Sequence, residues 1–204
     1  MTFDKEEKNF FLTTLQKKQV LHVFKKKITK FNVVVISDYD KGLLDKELIQ
    51  KIIKISHQYK KLIIADPKKI NLSDFKNSDI ITPNQKEMTD AAGKKYLNED
   101  NLIKFAQKII KENNIKNILI TRSKKGMLLV TSNSVKKFKA LVNDPVDVTG
   151  AGDTVTAVLA IMIASGCDIN FSAKISNYAA GVVVKKIGAA SLTLNELKKY
   201  INEK

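Results

Sequence analysis

The stretch Asp-Val-Thr-Gly-Ala-Gly-Asp-Thr at residues 147–154 decides the fold of this chain, because it joins small residues to an acid and an apolar segment. Gly150 and Gly152 carry no side chain, so backbone N–H groups can approach a phosphate closely. The helix that follows directs its positive end to the same place. Asp153 at the rim could then accept a proton from an attacking hydroxyl. The alternative is a tight strand-to-helix turn that Asp153 caps.

The composition predicts one globular unit over residues 1–204. A chain of 204 residues with 44% hydrophobic content can bury one substantial core, and no composition shift divides it. It contains no apolar run long enough to span a bilayer and no pattern typical of a secretory signal, which predicts a cytoplasmic protein without membrane partners.

The net charge of +15 raises the question of a nucleic-acid partner. The lysines, however, are dispersed along the chain, Arg122 is the only arginine, and no aromatic residues alternate with the basic ones. The pattern therefore argues against nucleic-acid binding. It favours a lysine-rich surface that would also attract small polyanionic ligands.

Short apolar runs rich in branched residues alternate with segments of helical spacing, which predicts a mostly parallel sheet covered on both faces. The predicted strands lie at 33–36, 62–65, 80–81, 118–120 and 127–130. Helical spacing marks 48–55 and 102–110, and beyond Asp153 the pattern is all-helical, at 155–164, 171–186 and 195–202. In such α/β sheets ligands bind at the carboxyl ends of the strands. Polar segments follow four of these strands, so loops distant in sequence are expected to line one cleft.

The 147–154 stretch resembles the C-terminal signature of the PfkB (ribokinase-like) sugar kinases. Five further segments, in chain order, resemble the kinase domain of bacterial heptose 7-phosphate kinases. They are Ser-Asp-Tyr-Asp-Lys-Gly at 37–42, Asp-Pro-Lys at 66–68, Thr-Pro-Asn-Gln-Lys-Glu at 82–87, Thr-Arg-Ser-Lys-Lys-Gly-Met at 121–127 and Asn-Tyr-Ala-Ala-Gly-Val-Val-Val at 177–184. The resemblance covers almost the whole chain.

The resemblance implies a ribokinase-like three-layer α/β/α core that corresponds to the C-terminal two thirds of the family domain. The family's N-terminal third, with its β-lid and most sugar-contacting residues, is expected to be absent, and residues 1–7 match the point where the lid ends. The implied ligands are ATP, Mg²⁺, a sugar phosphate and a monovalent cation such as K⁺. A homodimer, or an N-terminal part supplied in trans, would cover the sheet edge that this leaves exposed.

The resemblance also assigns roles within the 147–154 stretch. Asp153 matches the catalytic base that activates the sugar hydroxyl, and Gly150, Ala151 and Gly152 match the anion hole that faces the transferred phosphoryl group. Asp147 matches an acid that helps to hold the monovalent cation. Its alternative role is to brace the loop, and the two are equally favoured.

Asn84 and Glu87 match an Asn-x-x-Glu pair that organises Mg²⁺ and phosphates through water. The same spacing is typical of a capping box at the start of a helix, and both roles can hold together. Thr121, Arg122 and Gly126 match a turn suited to nucleotide phosphates or ribose. The Arg122 guanidinium could grip a phosphate in bidentate fashion, and a surface salt bridge is its alternative.

Two other segments complete the expected site. Asp38 and Lys41 match an Asp-Tyr-x-Lys-Gly segment near the substrate phosphate, although Asp40 occupies a position that is usually small in the family. Lys41 could equally be an ordinary exposed residue. Asn177 and Gly181 resemble a helix beneath the adenine and cation loop, where small residues could instead serve close helix packing.

These expectations favour an ATP-dependent kinase that converts D-glycero-D-manno-heptose 7-phosphate to the 1,7-bisphosphate for lipopolysaccharide core precursors. The alternatives are a non-catalytic nucleotide-binding fragment and a PfkB kinase for another sugar or sugar phosphate. A basic nucleic-acid-associated protein is a third class. A salt-sensitive interaction with DNA that ATP does not affect would distinguish it.

Overall fold

The computed structural model describes residues 11–68 and 70–203, so the predicted lid boundary at residues 1–7 lies outside the described residues. The strands are β1 (Val33–Ser37), β2 (Leu62–Asp66), β3 (Ile80–Ile81), β4 (Asn117–Thr121), β5 (Met127–Thr131) and β6 (Val135–Phe138). The helices are α1 (Thr14–Lys27), α2 (Lys46–Gln58), α3 (Gln85–Ala91), α4 (Glu99–Asn113), α5 (Ala151–Ala164), α6 (Ile169–Val183) and α7 (Leu194–Asn202).

The strands form one sheet in the order β1-β2-β3-β4-β5-β6. β1 to β4 pair in parallel, and β4, β5 and β6 pair as antiparallel neighbours. The prediction of a mostly parallel sheet is confirmed. The unpredicted strand is β6, whose Val-Lys-Lys-Phe sequence carries two lysines and lacks the apolar run that marks the others.

Successive residues of the buried strands point to opposite faces, and this alternation creates a three-layer α/β/α core. Ile63, Ala65 and Ile118 pack into the cluster that contains the buried faces of α2 and α4. Ile64 and Leu119 pack into a second cluster, which contains Val155 and Leu159 of α5 and Ala173 of α6. The continuous apolar runs therefore supply both faces of the sheet.

Helix α2 shows why the periodic segments fold as they do. The Asp45 side chain caps its N-terminus by accepting from Leu48 N–H, and the buried side chains Leu48, Ile49, Ile52 and Ile53 follow at helical spacing. By contrast, α1 was not predicted. Its sequence carries no strong apolar stripe, and none of its residues is buried in the structure.

The C-terminal helices lie close to their predicted positions. α5 begins at Ala151, four residues before the predicted start, because its first turn consists of the small and polar residues of the glycine motif. α6 ends at Val183 rather than at residue 186. No helix in the described ranges is both long and apolar enough to cross a membrane.

Candidate active site

The carboxyl ends of the parallel strands open onto a cavity of about 580 Å³. The start of α5, the loop before α3, the end of β4, segment 140–142 and helix α6 together line it. The predicted site residues on its wall are Asn84, Thr121, Arg122, Gly126, Gly150, Ala151, Gly152, Asp153, Asn177 and Gly181. Asp38, Lys41, Glu87 and Asp147 do not line it.

The first turn of α5 is open toward this cavity. Gly150 is the N-cap residue, with φ of 74°, and no side chain caps the helix there. Ala151 N–H donates to the Val148 carbonyl at 3.2 Å and Thr154 N–H to the Gly150 carbonyl at 2.9 Å. Within the described part of the chain, the N–H groups of Gly152 and Asp153 have no acceptor. An anion in the cavity could accept from both.

Open space surrounds the Cβ position of Gly152 at this turn. A Cβ atom on Gly152 would have no described heavy atom within 4 Å apart from its chain neighbours and its own helix backbone. Its backbone is helical, without a positive φ, so the fold itself does not require glycine there. The missing side chain therefore leaves room for a ligand rather than for another part of the protein.

Asp153 lies in this first turn with its carboxylate exposed. The Tyr39 hydroxyl donates to Asp153 Oδ1 at 3.3 Å. Tyr39 also lines the cavity, although only its neighbours Asp38 and Lys41 were predicted as site residues. Its position directly after Asp38 in the matching 37–42 segment was the available signal.

The Asn84–Glu87 pair forms the predicted capping box of α3. Glu87 N–H donates to Asn84 Oδ1 at 2.8 Å, and Asn84 N–H donates to Glu87 Oε2 at 2.7 Å. The other Glu87 oxygen, Oε1, lies 3.2 Å from the Lys68 ammonium. Burial raises the pKa of Glu87, and its bond from Asn84 and the Lys68 charge oppose the rise. The helix start and an ion pair thus use both carboxylate oxygens.

This donor set fits Mg²⁺ only through water. The amide oxygen of Asn84 and both carboxylate oxygens of Glu87 already accept protein groups. No cluster of three or more His, Cys, Asp or Glu side chains suited to a metal ion occurs within residues 11–68 and 70–203. Because Mg²⁺ keeps much of its hydration shell, such partners can still orient its water ligands.

Arg122 lies on the cavity wall, but its guanidinium is engaged within the protein. Nη1 pairs with Glu99, and Nη2 donates to the Lys125 carbonyl at 3.0 Å. The Arg122 side chain is 5% exposed and that of Glu99 is 36% exposed, so the salt bridge that the sequence offered as an alternative is present but partly buried. Thr121 stands next to Asn84 through an isolated parallel bridge, which joins the β4 end to the loop before α3.

Gly126 is required by the backbone around it. Its φ is 76°, and a Cβ atom there would lie 1.9 Å from the Phe138 carbonyl oxygen. The turn after β4 therefore passes against the end of β6 at a distance that only glycine permits. This position shapes the cavity wall.

Asp147 braces two loops. Its Oδ1 accepts from Thr149 N–H and its Oδ2 from Gly188 N–H, both at 2.9 Å. These bonds, with those of Thr149 the strongest, hold the pKa of Asp147 below its ordinary value. The bracing role is thus visible in the contacts, and a role in cation binding stays a prediction.

Asn177 supports the far wall of the cavity from helix α6. Its side-chain amide donates to the Lys139 carbonyl at 2.9 Å, immediately before the wall residues 140–142. Gly181, one turn on, packs against Tyr200 of α7, which a Cβ atom would meet at 3.0 Å. Both contacts favour the packing role that the sequence offered as an alternative for this helix.

The Asp38–Lys41 segment reaches the cavity through Tyr39 alone. Asp38 is buried, and its Oδ1 accepts from Asp40 N–H at 3.0 Å. Asp40 has φ of 54°, in the left-handed region that Asp and Gly tolerate, which explains an acid at a position that is usually small. Lys41 is exposed.

Comparison with known proteins agrees on the family and the fold. The sequence model described as "pfkB family carbohydrate kinase" matches residues 2–196. The chain is 36% identical over 197 residues to the bifunctional protein HldE of a Nitratiruptor species, covering 97% of this chain and 41% of the relative. It therefore spans less than half the length of that curated relative.

Two solved structures share the fold. Phosphofructokinase-2 from Escherichia coli in complex with potassium matches with a TM-score of 0.80 at 18% identity, over 94% of this chain and 63% of that one. Ribokinase from Arabidopsis thaliana complexed with ribose and ATP matches with a TM-score of 0.77 at 18% identity, over 94% and 60%. The predicted ribokinase-like fold is confirmed.

Proposed function

Because the chain belongs to the pfkB family of carbohydrate kinases, we propose that it transfers the γ-phosphoryl group of ATP to a sugar phosphate. The single observation that carries this proposal is the uncapped first turn of α5, which faces a 580 Å³ cavity beside an exposed carboxylate. Phosphoryl transfer needs mainly positioning and charge stabilisation, and an open helix N-terminus beside a base supplies both.

Asp153 acts as the general base in the proposed reaction. Its carboxylate takes the proton of the attacking hydroxyl, while that oxygen forms a bond to the γ-phosphorus and the bond to the ADP oxygen breaks. The Tyr39 hydroxyl, 3.3 Å from Asp153 Oδ1, orients the carboxylate. The N–H groups of Gly152 and Asp153 stabilise the charge on the transferring group.

Mg²⁺, held through water near Asn84 and Glu87, would neutralise phosphate charge in this reaction. A monovalent cation such as K⁺ belongs to the same proposal, at the loop that Asp147 braces. The solved structure of E. coli phosphofructokinase-2 contains potassium, which supports testing for it here.

The specific acceptor is D-glycero-D-manno-heptose 7-phosphate, phosphorylated at its anomeric hydroxyl to the 1,7-bisphosphate for lipopolysaccharide core precursors. Support comes from the heptose-kinase-like segments and from 36% identity to a protein named HldE. Other sugars or sugar phosphates are the alternative acceptors within the same fold.

The test is phosphorus NMR of the purified chain with Mg-ATP and the heptose 7-phosphate, beside its Asp153→Asn variant. Formation of ADP and a 1,7-bisphosphate by wild type only is the expected result. An intact Asp153→Asn activity would contradict the base assignment. ATP binding without any product, from this or other sugars, would instead favour the non-catalytic nucleotide-binding alternative.

The proposed kinase also needs a partner for the edge of its sheet. Within the described ranges β1 pairs only with β2, and its Val35 is 43% exposed. Ile161 of α5, the helix that packs beside this strand, is 63% exposed. A strand from a second copy, or from an N-terminal part supplied in trans, would pair with β1. Light scattering of wild type and Val35→Lys tests the homodimer, which the charge should dissociate.

A further inference from the structure

Lys68 occupies the cavity wall between two carboxylates. It follows β2 by two residues and lines the cavity, with its side chain 34% exposed. Its ammonium lies 3.4 Å from Asp66 Oδ2 and 3.2 Å from Glu87 Oε1. The two carboxylate side chains are only 4% and 12% exposed. The ammonium is therefore held on one side by a buried and a largely buried carboxylate, and its side chain is partly exposed on the cavity wall.

The charges of this cluster keep the lysine protonated. Burial lowers the pKa of Lys68, but the combined effect of Asp66 and Glu87 exceeds it, so the pKa lies above its ordinary value. Burial also raises the pKa of Asp66, with Lys68 and the Thr82 hydroxyl opposing the rise. An ammonium has three donors, and only two acceptors lie beside it within the described ranges. One donor is left for a ligand.

The cluster lies close to the first turn of α5. The Thr82 hydroxyl lies 3.2 Å from Asp66 Oδ1 and 3.0 Å from the hydroxyl of Thr156 in α5, so it connects the cluster to this helix. Lys68 and the α5 turn both line the same cavity. A phosphate that accepts from the N–H groups of Gly152 and Asp153 would thus have a held cation nearby.

The other basic side chains on the cavity wall are less suited to this role. The Arg122 guanidinium is engaged by Glu99 and the Lys125 carbonyl. Lys86 is 84% exposed and pairs with Asp90 on its own helix. Lys124 is 65% exposed and pairs with Asp144. Lys68, by contrast, pairs with two carboxylates that are 4% and 12% exposed and lie on different elements.

We propose that Lys68 binds the terminal phosphoryl group of the nucleotide, and that Asp66 and Glu87 position its ammonium for this contact. The inference rests on the proposed function, because it assumes that the cavity holds ATP. It assigns the Asp-Pro-Lys segment a role in discriminating nucleoside triphosphate from diphosphate.

The experiment compares the affinities of a non-hydrolysable ATP analogue and of ADP by calorimetry, without sugar. Loss of a charge-assisted hydrogen bond predicts that Lys68→Met weakens analogue binding about tenfold or more. ADP has no terminal phosphoryl at this position, so its affinity should change by no more than about twofold. Lys68→Arg, which keeps the charge, should retain part of the preference for the analogue.

Lys116→Met is the matched control. Lys116 also pairs with a buried carboxylate, that of Asp79 at 2.6 Å, but it does not line the cavity. Both methionine variants remove a cation from a buried acid, so both lower stability, and only Lys68→Met should change the ratio of the two affinities.

Equal weakening of both ligands by Lys68→Met, or no weakening, would overturn the inference while leaving the proposed kinase intact. If Lys68→Met does not fold, the ratio measured for Lys68→Gln, which also removes the charge, decides, and a ratio equal to that of wild type overturns the inference. A wild-type chain that binds neither nucleotide would overturn the proposed function and this inference together.

Discussion

Two helices begin at the same cavity, and their first turns differ. α3 carries a side-chain cap, because Asn84 and Glu87 satisfy each other's backbone N–H groups, although the N–H groups of Gln85 and Lys86 have no acceptor in the described chain. α5 begins at Gly150 without a side-chain cap, and the N–H groups of Gly152 and Asp153 find no acceptor in the described chain. Every helix start carries unsatisfied donors, and the two starts differ in their caps: side chains occupy the first turn of α3, whereas the first turn of α5 is left open to an anion.

The same distinction separates the two glycines Gly126 and Gly152. Both line the cavity, but a Cβ atom on Gly126 would collide with backbone, whereas one on Gly152 would project into open space. The first glycine serves the fold and the second leaves room for a ligand. Substitutions at these positions and at the two helix starts can break or sharpen the comparison.

Gly126→Ala should have the largest effect, on stability. Left-handed backbone strain and a contact of 1.9 Å with the Phe138 carbonyl oxygen together predict a loss of roughly 3 kcal/mol in the free energy of unfolding. Gly93→Ala is the control, because Gly93 has φ of 63° with open space around its Cβ position. Urea unfolding gives the free energy of unfolding of both variants, and the difference between their losses reports the effect of the close contact. Equal losses would mean that the close approach at Gly126 is unimportant.

Gly152→Leu should reduce ATP affinity about tenfold or more, equivalent to ~1.4 kcal/mol, and leave stability nearly unchanged. The added side chain would fill the space that the α5 N–H groups face, without a clash inside the protein. Ala157→Leu, on an exposed position of the same helix outside the cavity, is the matched control. Calorimetry with ATP would contradict the comparison if both variants bound as wild type does.

Asn84→Ala should lower the free energy of unfolding by about 1 kcal/mol, because α3 loses its cap. In a chain of this size the midpoint of thermal unfolding would fall by roughly 2–4 °C. Asn84→Asp retains an acceptor for Glu87 N–H and should recover most of the loss. Thermal unfolding that is unchanged in Asn84→Ala would show that the capping box contributes nothing.

Asp147→Asn should have the smallest effect, and that effect should depend on pH. The pKa of Asp147 is lowered in the folded protein, so its carboxylate stabilises the fold above the ordinary carboxyl pKa. This contribution is lost as pH falls through the lowered pKa. Wild type should therefore be slightly more stable than the variant at pH 7 and approach it in acid. Stability that depends on K⁺ in wild type alone would favour the cation role instead.

The sequence predicted those strands and helices whose apolar pattern is visible within the segment itself. The buried strands carry branched apolar runs, and α2 and α4 carry apolar side chains at helical spacing, so periodicity alone located them. β6 was missed because its Lys136 and Lys137 interrupt the apolar pattern, and α1 was missed because nothing in it is buried. The formation of both elements depends on contacts with other parts of the chain, which a local pattern does not show.

The sequence could predict which residues line the cavity better than which contacts they make. The glycine motif and Asp153 lie on the cavity wall, and the sequence could group them because they are contiguous. The ion pair of Arg122 with Glu99 and the tie of Asp147 to Gly188 join residues 23 and 41 positions apart. No local pattern reports such pairings. Tyr39 and Lys68 lay within matching segments, but only their placement on the cavity wall indicated a role.

The central claim is that the first turn of α5, rather than that of α3, receives the phosphate. Backbone amide NMR of the ¹⁵N-labelled chain during a titration with Mg-ATP tests it most directly. We predict the largest shift changes at the amides of Gly152 and Asp153, with smaller changes at residues 85–87, where the side chains of Asn84 and Glu87 form a capping box. Large changes at 85–87 with none at Gly152 and Asp153 would contradict it.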